Sequence, residues 1–199
     1  MELRERILNE ARNQFFQFGI RNVTMDEIAV SLGISKRTVY ETFRDKTELI
    51  ETCIKNISEE QDLKNTEILD HSENMIETIF TFMQLGIKAI NSINPVFYID
   101  LKKFYPKIWE DIHKKNTEKN QTLSYKMLEK GVKEGIFRKE IDIPIVAKLF
   151  HAQIDLITDE NIFPRNEYNT ADIFKNMIIN FTRGISTNKG IEIIDKMTE

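Results

Sequence analysis

The stretch Thr24-Met25-Asp26-Glu27-Ile28-Ala29-Val30-Ser31-Leu32-Gly33-Ile34-Ser35-Lys36-Arg37-Thr38-Val39-Tyr40-Glu41-Thr42-Phe43 reads as helix, glycine turn, helix. Thr24 is placed to cap the first of these helices, with Glu27 three residues on completing a capping box. Met25, Ile28, Ala29 and Leu32 form its apolar face. Gly33 ends it, and Ser35 opens a second, short helix whose inner face is Val39 and Phe43, one turn apart.

Upstream, Leu3, Ile7, Ala11 and Phe15 recur every four residues, with Phe18 one turn on, and Gly19 stops that helix. Downstream, Asp45 and Glu48 repeat the capping signature for a helix starting near residue 46, striped by Leu49, Ile50, Cys53, Ile54 and Ile57. The charged run Ser58 to Asp70 reads as a seam between an N-terminal domain (1–50) and a second domain (51–199). In the latter, Met75 to Ile90 forms a strongly apolar helix that ends before Pro95, and a short element follows from Val96 to Tyr105. From Pro106 a helical pattern runs to about Lys133, ended by Gly131 and Gly135. Its polar middle, His113 to Thr122, faces water, lines a polar cavity or breaks the helix. Asp142 and Pro144 start the next helix, over 145–157, and Asn169 caps a last one over 170–187.

With 41% hydrophobic and 30% charged residues, the 199-residue chain has a globular rather than a disordered balance. Seven Gly and four Pro leave little turn chemistry for an all-β fold, so the expected class is all-α with about nine helices. No run approaches the ~20 apolar residues of a membrane span, and the N-terminus has no signal-peptide apolar region. A lone Cys53 cannot form an internal disulfide. Together these features point to the cytoplasm and away from membranes. His71, His113 and His151 lack paired ligand spacing, so no metal and no cofactor are expected. No nucleophile elbow or phosphate-cradling glycine loop occurs, which argues against an enzyme.

The net charge of −4 excludes a generic polyanion binder, but its distribution is informative. Residues 1–55 balance nine Lys/Arg against nine Asp/Glu, while within 35–46 Lys36, Arg37, Arg44 and Lys46 oppose only Glu41 and Asp45. A cationic patch there suits DNA; a solvated helix face has the same composition. The helix-turn-helix geometry sends its second helix into the major groove, with Lys36, Arg37, Thr38, Tyr40 and Thr42 outward. Ser35 and the free N–H groups beside it would meet phosphate. Lys36 and Arg37 reach guanine edges or the backbone, and Thr38 and Tyr40 donate to phosphate. Taken alone, helix-Gly-helix is equally at home in a plain bundle.

The runs Thr24 to Ala29 and Leu32 to Lys46, with Ile7-Leu8 and Phe15 to Gly19 before them, resemble the signature of the tetracycline-repressor (TetR) family over residues 3–55. That resemblance implies an all-helical homodimer with a three-helix helix-turn-helix head and a helical-bundle body that binds ligand and dimerises. It also implies release from double-stranded operator DNA when a small molecule fills the body. By position it assigns DNA contacts to Thr24, Ser35, Lys36, Arg37, Thr38, Tyr40 and Thr42, and a phosphate contact to Lys46. Many members carry a basic arm before the first helix; here that helix is expected to begin almost at Met1, so no arm contacts are expected.

Helices 145–157 and 170–187 carry apolar residues on more than one face, so they need burial on two sides. One side is the core; the other is a twin subunit or a larger single core. Ile145, Leu149, Leu156, Phe174, Met177, Ile178 and Phe181 are the candidates for a two-fold interface that would present two heads to a pseudo-palindromic operator. Phe80, Met83, Phe97, Phe104, Tyr105, Trp109, Tyr125 and His151 line a pocket for an effector at least partly apolar, or are plain core. His151 and Asp155, one turn apart, are a polar anchor or a satisfied pair. Two functions follow: a ligand-released repressor, or a protein-interaction coactivator that keeps the head without ligand-controlled operator binding.

Overall fold

A computed structural model describes residues 2–157 and 159–198; Met1, at which the first helix was expected almost to begin, lies outside them. Among the described residues ten α-helices follow in order: α1 (Leu3–Phe18), α2 (Met25–Leu32), α3 (Lys36–Thr42), α4 (Lys46–His71), α5 (Met75–Ser92), α6 (Pro95–Phe104), α7 (Pro106–Lys133), α8 (Ile143–Ile157), α9 (Thr170–Ile185) and α10 (Asn188–Thr198). The class is all-α, and an isolated bridge between Phe137 and Ser186 is the β-type pairing described.

The chain divides into two compact units, residues 1–67 with 92–113, and 68–91 with 114–199. In the first, the apolar faces of α1 and α2 meet Val39, Phe43, Leu49, Ile50 and Cys53, and α6 contributes Phe97 and Leu101 to the same core. Phe18 departs from the expected stripe and stands about half exposed. The cause is local. Gly19 leaves the helix at φ 82°, ψ 164°, a positive-φ but extended conformation. Asn94, the N-cap of α6, is hydrogen-bonded to that helix end: its backbone N–H donates to Phe16 O (2.8 Å) and its Nδ2 to Gln17 O (3.0 Å).

The second unit packs Met75, Ile76, Phe80 and Met83 of α5 around Leu128, Ala147, Ile178, Ile185 and Ile194. Its chain crossing at 136–138 is tied to the end of α9, with Arg138 N donating to Ile185 O (2.9 Å) and Thr187 N to Ile136 O (2.8 Å). Ion-paired Arg183 and Asp195 join α9 to α10.

Three segments take a definite form. The charged run 58–70, read as the seam between the two domains, is the continuation of α4, which extends through His71. Its side chains are mostly exposed, so no apolar stripe marks it. His113 to Thr122 is unbroken α7 and largely faces water. The segment after Thr187 is a helix of its own, α10, because Ser186 leaves helical geometry (φ −79°, ψ 153°). No helix among the described residues is long and apolar enough to cross a membrane.

Candidate nucleic-acid interface

The geometry of α2 and α3 is set by local chemistry. Thr24 Oγ1 accepts from Glu27 N (3.1 Å), while Glu27 Oε2 accepts from Thr24 N (2.6 Å), a complete capping box. Gly33 turns the chain at φ 65°, ψ 30°, where side chains other than glycine are disfavoured. Ser35 Oγ then caps α3 by accepting from Thr38 N (3.1 Å). Val39 and Phe43 are fully buried, so the opposite side of α3 faces outward by necessity.

That outward side carries Lys36, Arg37 and Tyr40, the last 44% exposed, with Thr38 and Thr42 half-buried at its edges. Lys36 Nζ meets Asp26 Oδ2 at 2.7 Å, and this hydrogen bond raises the lysine's pKa. Arg37 Nε meets Glu41 Oε1 at 2.7 Å along the helix. Both pairs are exposed, and such pairs hold little free energy, about 0–1 kcal/mol. A phosphate or guanine edge can therefore take either cation from its carboxylate. Thr42 Oγ1 donates to Thr38 O (2.8 Å), and Ser35 and Thr38 hydroxyls lie 2.8 Å apart.

Lys46 is placed differently. It is half-buried, and its Nζ donates to Ile20 O (2.6 Å) in the α1–α2 connection. Burial lowers its pKa, with Asp100 and Glu27 opposing and Arg21 adding to the shift. Asp45 Oδ1 caps α4 by accepting from Glu48 N (2.8 Å); the returning carboxylate, Glu48, reaches Arg44 N (2.9 Å). Asp26, Glu41 and the Ile20 carbonyl are the partners sequence reasoning missed. The first two lie at helical spacing or across a turn from the cations; the third has no sequence signal.

The pocket candidates fall in both units. Phe97 and Leu101 are core of the first, with Tyr105 and Trp109 packed against it, while Phe104 is 40% exposed. Phe80 and Met83 are core of the second, with Tyr125 beside them. His151 Nε2 and Ser124 Oγ are 3.1 Å apart, linking α8 to α7. Burial lowers the His151 pKa against the opposing charge of Asp155. Among the interface candidates, Ile145, Leu149 and Leu156 of α8 stand 56%, 53% and 46% exposed. Ile178 is buried, and Phe174, Met177 and Phe181 pack partly against the second core. No group of three or more metal-ligating side chains occurs among the described residues.

A capped helix, a left-handed glycine and an outward polar helix locked by two buried side chains define a helix-turn-helix DNA-binding protein. Residues 7–53 match the family described as bacterial regulatory proteins, tetR family. That match runs from α1 into the first turns of α4. The chain is 24% identical to the HTH-type transcriptional repressor KstR2 of Mycolicibacterium smegmatis over 147 residues, covering 72% of this chain and 71% of that protein. It is 26% identical to an HTH-type regulator, YhgD, of Bacillus subtilis, covering 74% and 80%. A putative transcriptional regulator from Saccharomonospora viridis, solved in complex with choline, has the same fold at TM-score 0.75 and 18% identity, covering 93% of this chain and 98% of that one.

Proposed function

We propose that the protein is a ligand-released transcriptional repressor that binds a pseudo-palindromic operator as a homodimer. The observation that carries this reading is α3, held by buried Val39 and Phe43 so that Lys36, Arg37, Thr38 and Tyr40 face outward. Residues 1–50 act as the reading head and 51–199 as the sensing and dimerising body. Lys36, Arg37 and Thr38 approach bases; Thr24, Ser35, Tyr40, Thr42 and Lys46 position the backbone.

The dimer rests on the exposed row Ile145, Leu149 and Leu156, three apolar side chains on one face of α8. The effector site is assigned to the second unit around Phe80, Met83 and Tyr125, with the Ser124–His151 pair as its polar anchor. An effector at least partly apolar suits those side chains, and the similar protein KstR2 of Mycobacterium tuberculosis is a ketosteroid transcriptional regulator. Effector binding favours a body state whose heads are misspaced for DNA, and it must prefer that state to shift the balance.

A salt-titrated gel shift against the DNA flanking its own gene tests the reading. Arg37→Ala is expected to weaken specific binding by about 1–3 kcal/mol through loss of a bidentate guanine contact. Equal affinity for that DNA and for random duplex overturns the repressor reading. A stable protein partner with no shift favours the coactivator instead.

A further inference from the structure

Beside the α1–α2 connection, two cations share one ring. The Arg21 guanidinium carbon stands 4.5 Å from the Phe104 centroid and Lys103 Nζ 5.4 Å from it. Their charges are thus no farther apart than about one Debye length, ~10 Å at 0.1 M salt. Both side chains are exposed, and neither is ion-paired among the described residues. Each cation is attracted to the ring face, and two like charges held within that distance raise the local potential for an arriving anion.

The carboxylates nearby are turned to other work. Asp100, buried, accepts from Arg21 N (2.8 Å); Glu27 accepts from Thr24 N; Asp45 accepts from Glu48 N. The pair is also close to the reading head. Ile20, adjacent to Arg21, receives the Lys46 ammonium, and Arg21 is near enough to act on the charge of Lys46. Tyr105, next to Phe104, feels the charge of Asp45 at the start of α4. Lys46 and Arg21 thus lie within electrostatic reach of each other, with Asp100 and Glu27 as the opposing charges at Lys46.

We infer that Arg21 and Lys103, braced on Phe104, are a DNA-backbone contact that extends the helix-turn-helix footprint onto flanking phosphates through α6. This rests on the DNA-binding reading above. The cations carry no base information; they add affinity and salt dependence to any sequence.

The test is a salt titration of the full chain on long random-sequence duplex DNA, with thermal melting of each variant alongside. Arg21→Gln with Lys103→Gln is expected to bind several-fold more weakly and to flatten the log–log salt slope by about two units per bound protomer. Lys103→Gln alone, at an exposed position, flattens it by about one. The charge-keeping pair Arg21→Lys with Lys103→Arg keeps the wild-type slope. An unchanged slope in the doubly neutralised protein, while Lys36→Gln flattens it, overturns this inference and leaves the DNA-binding reading standing. Failure of the wild-type protein to bind any DNA overturns both.

Discussion

Cys53 illustrates how a single residue's surroundings set its chemistry. Its thiol is buried, donates to Leu8 O (3.6 Å), and is pushed up to about 12 by burial. The thiolate is the reactive form. Native protein is therefore expected to leave Cys53 unmodified by a thiol reagent such as Ellman's at neutral pH, with full reaction once guanidinium unfolds it. Fast labelling of the native fold would contradict that placement. Gly19 is similarly constrained. A Cβ there would lie 2.6 Å from Val96 Cγ1, at a φ of 82° that side chains avoid. Gly19→Ala is expected to lower stability by more than about 1 kcal/mol, read as a fall in the denaturation midpoint. His151 adds a pH dependence. Its folded pKa lies below the unfolded value, so the unfolded chain binds the proton more readily and stability falls as pH drops through and below about 6.5. Melting curves between neutral and mildly acid pH should show this fall, and His151→Gln should reduce it.

At the scale of elements, the head was the legible part, because caps and turns are written within three or four residues. Thr24 with Glu27, Gly33, Ser35 and the Val39–Phe43 stripe all take the structural roles their spacing predicts. Thr24→Ala is expected to cost ~1 kcal/mol of stability, seen in thermal melting, by leaving helix-start N–H groups without their acceptor. Helices without an apolar stripe were harder to read. The far half of α4 and the middle of α7 are polar on most sides and hold together through backbone bonds and pairs such as Lys55–Glu59. The break before α10 carries neither glycine nor proline at Ser186 and Thr187, so nothing in the sequence marked a further helix after the one expected over 170–187. Within the candidate interface, the outward side chains could be named from spacing. The Lys46–Ile20 and Asp100–Arg21 contacts could not, since they join residues 26 and 79 positions apart.

At the scale of the whole molecule, the proposed dimer rests on the exposed row of α8. Leu149→Glu is expected to shift the protein from dimer to monomer in sedimentation velocity at micromolar concentration, with helicity retained. A wild-type protein that sediments as a monomer would remove the dimer from the proposal. The two cores also differ in when their parts become available. Every buried residue of the first core lies before residue 113, whereas the second core includes Ile194. On the ribosome the reading half can therefore close about 4–16 s before the other half has its last buried side chain, at ordinary elongation rates. A nascent chain in that interval presents folded helix-turn-helix surface on an unfinished second unit, so premature termination would produce a fragment with α3 in place and without the part proposed to control it.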